Sequence, residues 1–226
     1  MAKKIDPATK IVRATLGLIA EEGWQAVSVT RVAAAAGMKL AEVAALAHDR
    51  QGLLNLIGAA VDQAGLAEGP VDESESARDR LFEVMMRRFD FLEDNRAGFV
   101  ALMGALERDP GLALRQVRPI EGSMALMLDL AGMPPHGLLG AVKTRALTLI
   151  YLDVARTWRG DDGGEMAATM KALDRRLNQA EQWANTFERP GRGGGLNPFR
   201  RRREATETAP AADGEPAADT AEGARD

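Results

Sequence analysis

Few residues in this chain could do covalent or metal chemistry. Its 226 residues include no Cys and only two His, His48 and His136. Without thiols there is no disulfide, no thiolate metal site and no Cys nucleophile. Two His this far apart in the chain do not make a zinc site or a serine–histidine–acid arrangement. No pair of carboxylates and no phosphate loop stands out. Gly191-Arg-Gly-Gly-Gly195 lies in a core-poor stretch rather than between a strand and a helix, so it is not a nucleotide turn. What remains is the chemistry of binding. Lys10, Arg31 and Lys39 could meet phosphates, and Arg200, Arg201, Arg202 and Arg203 form a basic run. Eight of the 10 Met (85, 86, 103, 124, 127, 133, 166 and 170) fall in the second half of the ordered pattern. Met suits irregular apolar ligands as well as core filling. The expectation is a binding protein with no catalytic residue, resident metal or cofactor.

These residues need elements to position them. Hydrophobic residues make up 46% and charged residues 27%, a soluble globular balance, with a net charge of −4. Period-2 alternation never persists, so the chain reads as all-α, with helices separated by Gly, Pro and Asp clusters. Pro7 opens a helix to about Glu21 with Val12, Leu16 and Ile19 on one face, and Gly23 stops it. Ser28 caps a short helix ending at Gly37; another follows over Leu40–Leu46; Asp49 caps a longer one carrying Leu53, Leu54, Ile57 and Val61. Residues 65–75 are a Gly/Pro/acid linker. Beyond it, helices start at Ser76, at about Phe99, after the breaker Pro119, over Leu138–Trp158 and over Glu165–Phe187. This divides the chain into modules at 1–66 and 76–188, with a disordered tail over 189–226 where Pro and charge replace core formers. No apolar run reaches the roughly 18 residues of a spanning helix, and no secretory h-region follows the N-terminus, so a cytoplasmic location is expected.

Three short helices with a Gly turn before the third, then a longer helix, make a helix-turn-helix plan. Ala14-x-x-Leu-x-x-Ile-Ala-Glu-Glu-Gly-Trp24, Val27-Ser-Val-Thr-Arg-Val-Ala-Ala-Ala-Ala-Gly37 and Asp49-x-x-x-Leu-Leu54 resemble the TetR family over about residues 8–62. That resemblance implies a TetR-like fold, a homodimer, and a third helix that reads DNA. The third helix departs from the family pattern. Leu40, Ala41 and Glu42 stand where base-reading residues are expected, and Ala44, Ala45 and Ala47 where the family carries aromatics. Base reading needs donors such as Arg, Lys, Asn or Gln. Residues 1–65 hold seven Lys and Arg against six Asp and Glu, a weak footprint for DNA.

Arg145-Ala-Leu-Thr-Leu-Ile-Tyr151, Trp158, Asp161-Asp, Thr169-x-x-x-Leu-Asp-Arg-Arg-Leu177 and Ala180 are similar to the C-terminal region of the Coq-nine family over about residues 143–182. That resemblance implies a TetR-like protein that binds isoprenoid lipid rather than DNA. Such a protein docks on a membrane, here peripherally at its inner face, and presents quinone precursors to a ubiquinone-synthesis hydroxylase. Gly140 and Ala141 stand where eukaryotic members have aromatics. On this reading Met85, Phe89, Met103, Met127, Leu149 and Trp158 are candidates for a lipid pocket between helices.

The last helix adds a membrane-surface candidate of its own. Leu173, Leu177, Ala180, Ala184 and Phe187 recur at helical spacing beside Trp183, flanked by Lys171, Arg175 and Arg176. Such a stripe either lies in a membrane interface or packs on the domain or a second copy. Arg200–Arg203 would add roughly 1 kcal/mol per charge near anionic lipid. Two functions follow. The first is a non-catalytic lipid-binding protein supporting ubiquinone synthesis. The second is a DNA-binding regulator responsive to an apolar ligand, with Lys10, Arg31 and Lys39 on phosphates.

Overall fold

Most of the described helices begin where a local cap satisfies some of their first free N–H groups. Asp6 accepts from the Thr9 amide (3.3 Å) to start α1 (Pro7–Glu22), and Ser28 accepts from Arg31 (3.2 Å) to start α2 (Val29–Ala36). α3 (Leu40–Leu46) opens with the Lys39 amide donating to its own Glu42 carboxylate at 3.2 Å. Asp49 accepts from Gly52 at 2.7 Å to start α4 (Arg50–Leu66). Ser76 caps α5 (Ala77–Asp94), α6 spans Arg96–Arg108, and Asp109 accepts from Leu112 (2.9 Å) to start α7 (Pro110–Leu130). α8 (Gly137–Arg159) and α9 (Ala167–Glu188) follow. The computed structural model describes residues 6–67 and 74–188, and side chains as far as residue 183. Among these residues there is no strand. The expected tail lies outside them, as do the side chain of Phe187 and the Arg200–Arg203 run.

The described residues up to Asn185 cluster as one compact unit. Within it, one apolar core runs from Ile11 and Val32 in the helix-turn-helix to Met124, Trp158 and Leu173. The two halves meet where α1 lies against α6. Gly98 makes that approach possible. A Cβ there would sit 2.8 Å from the Leu16 carbonyl oxygen, closer than atoms pack.

Two expectations need correction. Pro119 does not break the chain into two helices; α7 runs through it. Proline removes an amide and strands the carbonyl one turn back, but Pro119 is exposed, so water can satisfy that carbonyl. Leu173 and Leu177, two of the α9 membrane-surface candidates, are buried in the core, 0% and 4% exposed, so these two pack on the domain and do not meet a membrane.

Candidate ligand cavity and nucleic-acid interface

A cavity of about 950 Å³ lies among α4, α5, α6, α7 and α8. That is at the upper end of the roughly 300–1,000 Å³ of small-molecule sites. Its walls are mostly apolar, with Leu54 and Ile57 from α4, Phe99 and Met103 from α6, Ile120 from α7 and Tyr151 from α8. It opens along α7, where the lining residues Leu114 and Val117 are exposed.

A buried polar cluster at its floor interrupts this lining. Arg88 of α5 is 3% exposed and pairs through Nη1 with the Asp62 carboxylate of α4. The Ser123 hydroxyl of α7 donates to the same Asp62 oxygen. The Arg88 guanidinium lies 5.3 Å from the Tyr151 ring centroid, and its buried Nε–H has no partner. A second link joins α4 to α7, with Gln116 donating to Gln51 at 3.2 Å. Gln51 and Asp62 are about three turns apart on α4, so two polar ties bracket the α4 wall of the cavity.

The other end of α4 is fastened to the helix-turn-helix. Arg50 donates through Nη2 to the Trp24 carbonyl at 2.5 Å, and its guanidinium sits 4.3 Å from the Trp24 ring centroid. One rigid helix thus touches both the cavity and the N-terminal module.

Of the six lipid-pocket candidates, Met103 alone lines this cavity. Met85, Phe89, Met127 and Trp158 are each 0% exposed and fill the core beside it. Trp158 donates Nε1–H to Glu93 at 2.8 Å under the Arg96 guanidinium, a structural setting. Leu149 points outward, 69% exposed, with Leu138 and Val142 on the same face of α8. Periodicity shows that α8 has two apolar faces but does not tell which one faces inward. Gly140 also has a local cause. A Cβ there would lie 2.5 Å from the Pro135 carbonyl oxygen, so no aromatic fits that position. Sequence reading missed Asp62 and Arg88. Arg88 does carry a signal, since it falls on the inward stripe Leu81, Met85, Arg88, Leu92.

On the helix-turn-helix surface, Lys10 and Lys39 are exposed. Arg31 is committed: it pairs with Glu22 and donates to the Ala26 carbonyl at 3.2 Å. The hydrogen bond from Arg31 holds the Glu22 carboxyl below its ordinary pKa, and the Arg31 guanidinium is raised in turn. The exposed face of α3 shows Leu40, Ala41, Ala45 and Leu46, while Ala44 is half-buried and Ala47 is buried. Glu42 spends an oxygen on its own helix start. On α9, Trp183 is exposed. No described helix is long and apolar enough to cross a membrane. No group of three or more described His, Asp or Glu could hold a metal.

An all-helical chain with this helix-turn-helix and cavity has a TetR-like fold. A TetR transcriptional regulator from Nitrosomonas europaea superposes with a TM-score of 0.63 at 21% identity, over 78% of this chain and 99% of that one. A TetR transcriptional regulator from a Rhodococcus species gives 0.55 at 17% identity, over 76% and 93%. The fatty acid degradation regulator FadR of Bacillus halodurans gives 0.52 at 16%, over 78% and 95%. No family model matches the chain, and no curated protein does.

Proposed function

We propose that the protein is a ligand-responsive regulator. It holds an apolar small molecule between α4 and α8 and passes its presence to the helix-turn-helix through α4. The observation that carries this reading is the position of Asp62. It floors the cavity from the same helix whose first residue, Arg50, grips Trp24. A ligand that shifts the Asp62 cluster moves α4, and α4 takes the N-terminal module with it. Residues 1–66 serve as the output module and 76–188 as the ligand and dimer module. The outward α8 stripe Leu138, Val142, Leu149 supplies an apolar face for a second copy. The superposition on transcriptional regulators supports DNA as the output.

DNA contact then rests on phosphates more than bases, through Lys10 and Lys39. With two such cations per protomer, a dimer gives a log–log salt slope of about −4. Fluorescence anisotropy on the protein's own upstream DNA across a salt series checks this. Salt-sensitive binding with some sequence preference supports the reading, and no binding at low salt overturns it.

A second reading is favoured by one observation, the exposed face of α3, which offers no base-reading donor. On it the protein is a Coq-nine-like carrier that holds an isoprenoid lipid for a ubiquinone-synthesis hydroxylase. Membrane contact would then use Trp183 with Phe187 and the Arg200–Arg203 run, since Leu173 and Leu177 are buried. Mass spectrometry of extracted lipids tests it. A purified protein that carries no isoprenoid and ignores liposomes rules it out.

A further inference from the structure

We infer that the cavity takes a single-chain amphiphile with an anionic head, a carboxylate or a phosphate monoester, and that Arg156 of α8 receives the head where the cavity meets solvent. This deepens the ligand-binding reading above and rests on it. The charged lining residues are Asp62, Arg88, Glu107 and Arg156. The first three are spent on partners within the protein. Asp62 and Arg88 close on each other at the floor. Glu107 of α6 pairs with Arg159 of α8 at 2.6 Å. Arg156 has no carboxylate partner among the described residues. The acid one turn before it on α8, Asp153, is held by Arg176 of α9 at 2.8 Å. The lining therefore carries one uncompensated positive charge.

Its position decides what that charge can do. Arg156 is exposed although it lines the cavity, so a ligand head can reach its guanidinium from solvent. Arg88, 3% exposed and paired, offers no such access. Arg156 lies about 7.5 Å along the α8 axis from Tyr151, whose ring faces Arg88. An anionic head at Arg156 thus stays clear of the Asp62 carboxylate at the floor. It also keeps part of its water, so it avoids the full cost of burying a charge. The planar guanidinium fork matches a carboxylate or phosphate head with paired N–H donors. The chain then runs inward along Leu152, Leu106 and Met103, all of which line the cavity. A neutral head gains only the burial of its chain, and an ammonium head is repelled.

The test uses the full chain and displacement of a neutral fluorescent probe, N-phenyl-1-naphthylamine, at pH 8. The competitors share one chain length: dodecanoate, dodecyl phosphate, 2-dodecanone and dodecyltrimethylammonium, all kept below their aggregation concentrations. At least one anion should displace the probe at a concentration at least about fivefold below the ketone and about tenfold below the ammonium. The stronger anion identifies the head. In Arg156→Gln that advantage should vanish, while the ketone stays within about twofold of its wild-type value. Arg156→Glu should place the ammonium ahead of both anions. Raising NaCl from about 0.1 M to about 1 M should shrink the anion advantage in the wild-type protein, a readout that needs no variant to fold. A ketone that competes as well as both anions, an advantage indifferent to salt, or one that survives in Arg156→Gln overturns the anionic head and leaves the cavity reading standing. Failure of the probe and of all four competitors to bind overturns the cavity reading, and the head assignment falls with it.

Discussion

Arg88 shows how a single residue can sit in an apolar stripe and still be polar. Three neighbours make its burial tolerable: the Asp62 carboxylate, the Tyr151 face, and the Ser123 hydroxyl that steadies Asp62. Its place on the α5 stripe is legible in the sequence from the spacing to Leu81, Met85 and Leu92. Its partner is not, because Asp62 lies on another helix and nothing local ties the two together. Which Met residues line a cavity and which fill the core is not local either. Met85 and Met127 satisfy the composition of a pocket but fill the core. Met103→Trp should fill the cavity and weaken N-phenyl-1-naphthylamine binding by at least tenfold, with the helical circular dichroism spectrum retained. Trp158→Ala should act on the fold instead, lowering the unfolding free energy by about 3–5 kcal/mol in urea titrations, as core truncations of large aromatics do.

At the scale of elements, helix ends were the most legible feature. Ser28, Gly37, Asp49 and Ser76 act through atoms three or four residues away, and all four sit where their types predict. What a helix face packs against is a long-range matter, which is why the spacing of the α9 stripe leaves membrane and domain packing both open, while the structure buries Leu173 and Leu177 in the core. The start of α9 depends on such a long-range contact. Asp161, from the preceding loop, accepts from the Thr169 amide at 2.8 Å and the Thr169 hydroxyl at 2.9 Å. The Thr169 amide, ahead of burial acting the other way, holds the Asp161 carboxyl below its ordinary pKa. A depressed pKa means that the contribution is present above the ordinary aspartate range and is lost as pH falls through the lowered value. Asp161→Asn should therefore lower Tm most near neutral pH, and the gap to wild type should close in acid; thermal scans from pH 7 to pH 3 check this. Gly98→Ala should lower Tm without altering the isolated helices, since it forces α6 away from α1 at Leu16. Leu149→Glu places a charge in the outward α8 stripe and should shift sedimentation velocity from dimer to monomer. An unchanged sedimentation coefficient would locate the dimer face elsewhere or remove it.

For the whole molecule, the helix-turn-helix and the cavity are not separate bodies. One core spans both, and α4 belongs to each. The sequence suggests a division at residues 65–75 but does not show how firmly α4 joins the two sides of it. The ties that do so, Arg50 to Trp24, Gln51 to Gln116 and Asp62 to Arg88, each join residues 26 or more apart in sequence. The central claim is that cavity occupancy reaches the N-terminal module through this helix. Amide hydrogen exchange with and without 2-dodecanone, read by mass spectrometry, tests it most directly. The account predicts altered protection in α4 and in at least one of α1, α2 and α3, although none of those three lines the cavity. A change confined to α5–α8 would contradict it.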